Sequence, residues 1–156
     1  MKPNDIQIGG THYATDTGMQ HWDYVALALD GRYFEGNITK YVARWRKKNG
    51  RQDLEKAKHY LLKLIEQYRK GHTSPMPVLV DTNPIAIAQR FSVEAGLGSV
   101  ENRIMVGMAS WRSETDLHGV MYNVERLIQE CKQEQQLLDA RKAGAAPLPS
   151  EPTNDK

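Results

Sequence analysis

Between Ile38 and Tyr68 the apolar residues return every three or four positions, with one interruption at Asn49-Gly50. Ile38, Tyr41, Val42 and Trp45 fall on one side of a first helical segment; Leu54, Ala57, Leu61, Leu64, Ile65 and Tyr68 fall on one side of a second. A strand would need a period of two, so this stretch reads as two amphipathic helices. Asn49-Gly50 ends the first helix because both residues tolerate left-handed backbone. A connection this short makes the two helices pack antiparallel.

The rest of the chain extends the same pattern. Residues up to Gln20, with Gly9-Gly10 and Gly18 among small and polar residues, read as an irregular arm. A short helix over His21 to Leu29 is broken by Asp30-Gly31, and the first long helix is entered through Phe34-Glu35-Gly36-Asn37 and runs to about Lys48. The next spans Gln52 to about Arg69. Residues 71–83 carry two prolines and read as a linker; Asn83 caps a fourth helix whose first residue is Pro84 and which reaches about Ala95. Gly96-Leu97-Gly98 breaks the chain before two further helices, about 100–112 and 115–142. The expected fold is all-α: helical hairpins in a small bundle, with a module over 1–70, a linker over 71–83, a second hairpin unit over 84–142 and a disordered tail over 143–156. A length of 156 residues fits one compact domain or two very small ones, and excludes a barrel enzyme of about 250 residues.

The two hairpins resemble each other. Ile38, Ala43, Trp45 and Arg46 align with Ile104, Ala109, Trp111 and Arg112; after a turn three residues shorter, Asp53-Leu54 and Leu64-Ile65 align with Asp116-Leu117 and Leu127-Ile128. The polar positions are not kept, since Lys40, Tyr41 and Arg44 face Val106, Gly107 and Ser110. If the halves are related, the second is the packing partner and the first carries the chemistry.

Charge points to the same half. Residues 36–70 hold eleven Lys or Arg against three acids, a surplus of +8, whereas the segments before and after are each −3. Such a segment favours a phosphate-bearing partner. Asn37, Lys40, Arg44 and Lys48 lie at spacings of three and four along the polar side of the first long helix, with Tyr41 at its border. Arg44 can grip two phosphate oxygens with its planar fork and Lys40 can act as a point charge. Asp53, Lys56 and Tyr60 follow one edge of the next helix, near a terminus that itself favours anions. His12 and Tyr13 in the arm complete the candidate phosphate and nucleotide contacts, His12 being able to meet phosphate or to act as an acid or base. Trp22, Trp45 and Trp111 lie on or beside apolar helical faces and are assigned to the core.

Several chemistries are excluded. No Gly-x-x-x-x-Gly-Lys-Ser/Thr loop and no Gly-x-Ser-x-Gly element occurs. Glu55, Glu66, Glu125 and Glu130 do not make a set of carboxylates for magnesium, and Cys131 has no second Cys or nearby His at zinc-ligand spacing. No apolar run approaches the roughly 20 residues of a membrane span. With no signal-type apolar stretch after Met1 and a single cysteine, a cytoplasmic setting without a membrane is expected.

Gly10-Thr11-His12-Tyr13, Gln20-His21-Trp22-Asp23, Phe34 through Tyr41, Arg44, Lys47-Lys48, Asp53 through Ala57 and Tyr60-Leu61 together resemble a small phage-encoded family, mostly of unknown function, that includes a coliphage nucleoside monophosphate kinase lacking a P-loop. The resemblance covers residues 10–70 and implies a phage protein of the host cytoplasm, with ATP and magnesium as cofactors if it transfers phosphate. The resulting expectation is a nucleotide-binding protein, with Lys40, Arg44 and Lys48 on phosphate, Asn37 and Tyr41 orienting the nucleotide and Asp53 on a metal or hydroxyl. The alternative is a non-catalytic binder that sequesters a host immune signalling nucleotide, and nucleic-acid binding ranks third. A homo-oligomer is expected, because a shallow basic face is most simply enclosed by a second copy.

Overall fold

The computed structural model describes residues 18–78 and 81–144, and these are all-α. The six helices are α1 (His21–Ala28), α2 (Tyr33–Arg44), α3 (Arg51–Arg69), α4 (Pro84–Glu94), α5 (Ser99–Ser110) and α6 (Glu114–Gly144); short connections join them except between α3 and α4, where residues 70–83 intervene. Residues 1–17 of the expected irregular arm and residues 145–156 of the expected tail lie outside the described residues; Gly18 to Gln20 precede α1, and Ala143 and Gly144 belong to α6.

Local chemistry sets the helix ends. Gln20 and Asp23 cap the start of α1 reciprocally, the backbone N–H of Gln20 donating to Asp23 Oδ2 at 2.7 Å. Asp30 and Gly31 then take positive φ, which stops the helix. Asn83 Oδ1 accepts from Ala86 N at 3.1 Å and Pro84 is the first residue of α4, as the sequence predicts. The first long helix is shorter than expected. It ends at Arg44, and Trp45–Lys47 form a 3₁₀ turn before Gly50, whose φ of 53° with ψ of −129° suits glycine alone.

α2 packs antiparallel on α3 and α5 on α6; α3 then meets α6, α2 meets α5, and α1 meets α4. Each helix of the first half thus touches its own counterpart in the second, as elements do about a two-fold axis. One core serves both halves. Ile38, Leu54, Leu61 and Leu64 from the first hairpin and Ile104, Leu117, Val124 and Leu127 from the second are all fully buried. Burying each such side chain contributes about 1.5–3 kcal/mol.

The polar contacts are reciprocal too. Trp45 Nε1 donates to Glu101 Oε1 at 3.1 Å, and Trp111 Nε1 donates to Glu35 Oε1 at 3.2 Å; in each half the Trp follows the Glu by ten residues. Tyr24 of α1 stacks on Phe91 of α4 with centroids 5.0 Å apart, and its hydroxyl donates to Met105 O at 2.8 Å. The segment read as a linker is fastened to this core: Met76 is buried, its N–H donates to Trp111 O at 3.1 Å, and Arg32 donates to Thr73 Oγ1 at 2.7 Å. Trp45 and Trp111 are core residues as expected, but Trp22 is not. It is 51 % exposed, because the buried face of α1 is formed by His21, Tyr24 and Ala28.

Candidate functional site

The α2/α3 hairpin sets two rows of polar side chains facing each other. Asn37, Lys40, Tyr41 and Arg44 come from successive turns of α2; Asp53, Lys56 and Tyr60 come from the first turns of α3. Their centre is the Tyr41 ring. Lys40 Nζ lies 4.7 Å from its centroid, the Arg44 guanidinium 4.8 Å and Lys56 Nζ 5.5 Å, all within cation–π range. The Tyr60 ring stacks at 5.8 Å, and Tyr33, 65 % exposed, packs edge-on against Tyr60 at 6.0 Å.

Asp53 is the one carboxylate tied to this cluster among the described residues, and it is fully buried. Arg44 Nε donates to its Oδ2 at 3.0 Å and Arg44 Nη2 to its Oδ1 at 3.3 Å, while Asn49 Nδ2 donates to Oδ1 at 3.2 Å. The Arg44 fork is therefore spent on a protein carboxylate, which pins the start of α3 to the end of α2. Lys40 donates to Asn37 Oδ1 at 2.7 Å, and Lys56 makes no hydrogen bond or ion pair to a described residue. Among the described residues, three cations thus stand beside one carboxylate. Burial, then the charge of Arg44, and after the opposing pull of Asp53 that of Lys56, hold the Lys40 ammonium below its ordinary range.

A histidine given no role in the sequence stands behind this cluster. His21 is buried, and its Nε2 lies 3.0 Å from Thr39 Oγ1. The Thr39 hydroxyl already donates to Glu35 O at 2.9 Å, so Nε2 carries the hydrogen and donates to Thr39. Burial first, then Lys40 and Arg44, lower its pKa to about 3, leaving the ring neutral.

The structure brings together seven of the residues singled out in the sequence: Asn37, Lys40, Tyr41, Arg44, Asp53, Lys56 and Tyr60. It does not bring Lys48 to them. The 3₁₀ turn breaks the helical register after Arg44, so Lys48 is exposed and no hydrogen bond, ion pair or ring contact links it to the cluster among the described residues. His12 and Tyr13 lie outside the described residues. Tyr33 was missed, since an aromatic at the first position of a helix resembles any other surface tyrosine until Tyr60 is set beside it.

Among the described residues no three His, Cys, Asp or Glu side chains are grouped to hold a metal ion, and no helix is long and apolar enough to cross a membrane. No curated protein and no solved structure matches this chain. Residues 8–62, which contain all of the cluster and end within α3, match the sequence model of a family described as a protein of unknown function, DUF3310.

Proposed function

We propose that the α2/α3 hairpin binds a nucleotide, its phosphate on Lys40 and Lys56 and its base against Tyr33 and Tyr60. The observation that carries this reading is the surplus of charge around Tyr41: three cations within 5.5 Å of one ring centroid, with a single buried carboxylate among the described residues beside them. Like charges held this close raise the energy of the free protein, and a phosphate relieves it. Exposed tyrosine rings next to it supply faces on which a base can stack.

Binding without turnover is the form that Asp53 favours. Both of its oxygens are already taken by Arg44 and Asn49, so using it for magnesium or for a substrate hydroxyl would break the pair that closes the hairpin. A nucleoside monophosphate kinase using ATP and magnesium is the catalytic form of the same proposal.

Calorimetric titration of the full chain with nucleoside mono- and triphosphates tests it. Lys56→Ala should weaken binding about tenfold, the value of one charge-assisted hydrogen bond, and should leave the fold intact. Incubation with ATP, magnesium and each monophosphate then separates retention of unaltered nucleotide from phosphate transfer. Equal affinity of wild type and Lys56→Ala would remove the site from this hairpin.

A further inference from the structure

The repeat relates the Tyr41 cluster to a place on the second hairpin where the large side chains are gone. Tyr41, Arg44, Lys56 and Tyr60 correspond to Gly107, Ser110, Gly119 and Asn123, and these four line a groove of about 470 Å³ between α5 and α6. Where the first hairpin holds two stacked phenol rings, the second holds open space.

The two glycines have different reasons to be there. A Cβ on Gly107 would lie 2.6 Å from Val120 Cγ2, so glycine is what lets α5 and α6 approach at the floor of the groove. A Cβ on Gly119 would meet nothing within 4 Å, and its φ is not positive. A helix-interior glycine costs stability relative to alanine, and neither packing nor backbone conformation requires one at this position. What it does is leave the groove wide.

The polar lining selects charge. Arg103, at the position of Asn37, is exposed and makes no hydrogen bond or ion pair to a described residue. Arg112 is held by the carbonyl oxygens of Met76 and Trp111. Asp116 accepts from the backbone N–H groups of Arg112 and Ser113 at 2.8 and 2.9 Å, and its charge offsets that of Arg112. One positive charge, that of Arg103, is left over. The Ser110 hydroxyl donates to Val106 O at 2.7 Å, so its hydrogen is already used within α5 and Arg103 is left as the group that meets an anion.

We propose that the α5/α6 groove is a second binding site, which takes a small planar ring bearing one anionic group, the ring lying where the first hairpin places its own tyrosines. This inference rests on the groove and the repeat, independently of the nucleotide reading.

Two-dimensional amide NMR of the full chain with phenyl phosphate tests it, with benzoate as the carboxylate counterpart and phenol and inorganic phosphate as the separate halves. Saturable shifts are expected at Gly107, Ser110 and Gly119, with phenol and inorganic phosphate each at least tenfold weaker. At these amides Arg103→Gln should weaken binding about tenfold and Gly119→Leu should abolish it, whereas Lys56→Ala should leave their shifts unchanged. Absence of saturable shifts at these amides, shifts there that survive both Arg103→Gln and Gly119→Leu, loss of these same shifts in Lys56→Ala, or inorganic phosphate producing them as readily as phenyl phosphate would overturn it.

Discussion

Trp111 donates its indole hydrogen to Glu35 across 3.2 Å, and this bond joins the two halves of the chain through groups that are both buried. Trp45 and Glu101 make the same bond in the opposite sense. A lost donor here leaves a buried carboxylate short of a partner, which costs more than an average hydrogen bond contributes. Trp111→Phe and Trp45→Phe should each lower unfolding free energy by about 1–3 kcal/mol, read from urea denaturation. Two variants as stable as wild type would show that the reciprocal bonds do not hold the halves together.

Asp53 and Lys56 stand one turn apart on α3 and should behave oppositely. Asp53→Ala removes the buried carboxylate that accepts from the Arg44 fork, at a side chain only 11 % exposed and beside two other cations, a loss of about 3–5 kcal/mol. Lys56→Ala removes a cation that pairs with no described carboxylate and should change stability by no more than about 0.5 kcal/mol. Thermal unfolding distinguishes them. It also decides which variant suits a binding assay, since Arg44→Ala would confound lost affinity with lost structure.

The sequence carries the hairpins because helical periodicity is a local property: Ile38, Val42, Leu54, Ala57, Leu61, Leu64 and Ile65 are all in the core that their spacing predicts. It carries most of the cationic cluster for the same reason, as spacings of three and four put Asn37, Lys40 and Arg44 on one side. What it conceals depends on the other half of the chain. Glu35 and Glu101 look like ordinary acids in the first turn of a helix, and only the packed halves show each accepting from the other's tryptophan. The end of α2 is hidden likewise. The tighter turn at Trp45–Lys47 lets Trp45 Nε1 and Arg46 Nε both reach Glu101 at 3.1 Å, a demand set 55 residues away in the chain. Arg44 reads as a phosphate ligand until Asp53 is found in its fork.

His21 makes stability depend on pH in a defined direction. Its folded pKa of about 3 lies below the ordinary 6.5, so between these values the unfolded chain binds a proton that the folded one refuses. Its contribution is complete above pH 6.5 and is lost as pH falls toward 3, at about 1.4 kcal/mol per unit. Glu35 runs the other way, because burial raises its carboxyl and lowering the pH relieves that cost. Comparison with His21→Gln, whose amide can still donate to Thr39, isolates the histidine: the fall in urea midpoint between about pH 6.5 and 4 should be shallower in the variant by close to one proton. Parallel profiles would mean that His21 is not held neutral.

Gly107 and Gly119 give the sharpest test of the second hairpin, because the same substitution should act in opposite directions at two helical glycines. At Gly107 the added methyl meets Val120 Cγ2 at 2.6 Å, between helices that share one core, so α5 and α6 must separate or Val120 must leave its rotamer. Gly107→Ala should therefore destabilise by about 1–3 kcal/mol. At Gly119 the methyl meets no atom within 4 Å, and alanine only reduces the freedom of the unfolded chain. Gly119→Ala should stabilise by about 0.5–1 kcal/mol. Opposite shifts in unfolding midpoint would show that the first glycine is kept for packing while the second is kept at a cost, for the groove it leaves open. If Gly119→Ala were destabilising, the space beside it would not be free, and the ring-sized groove would lose its basis.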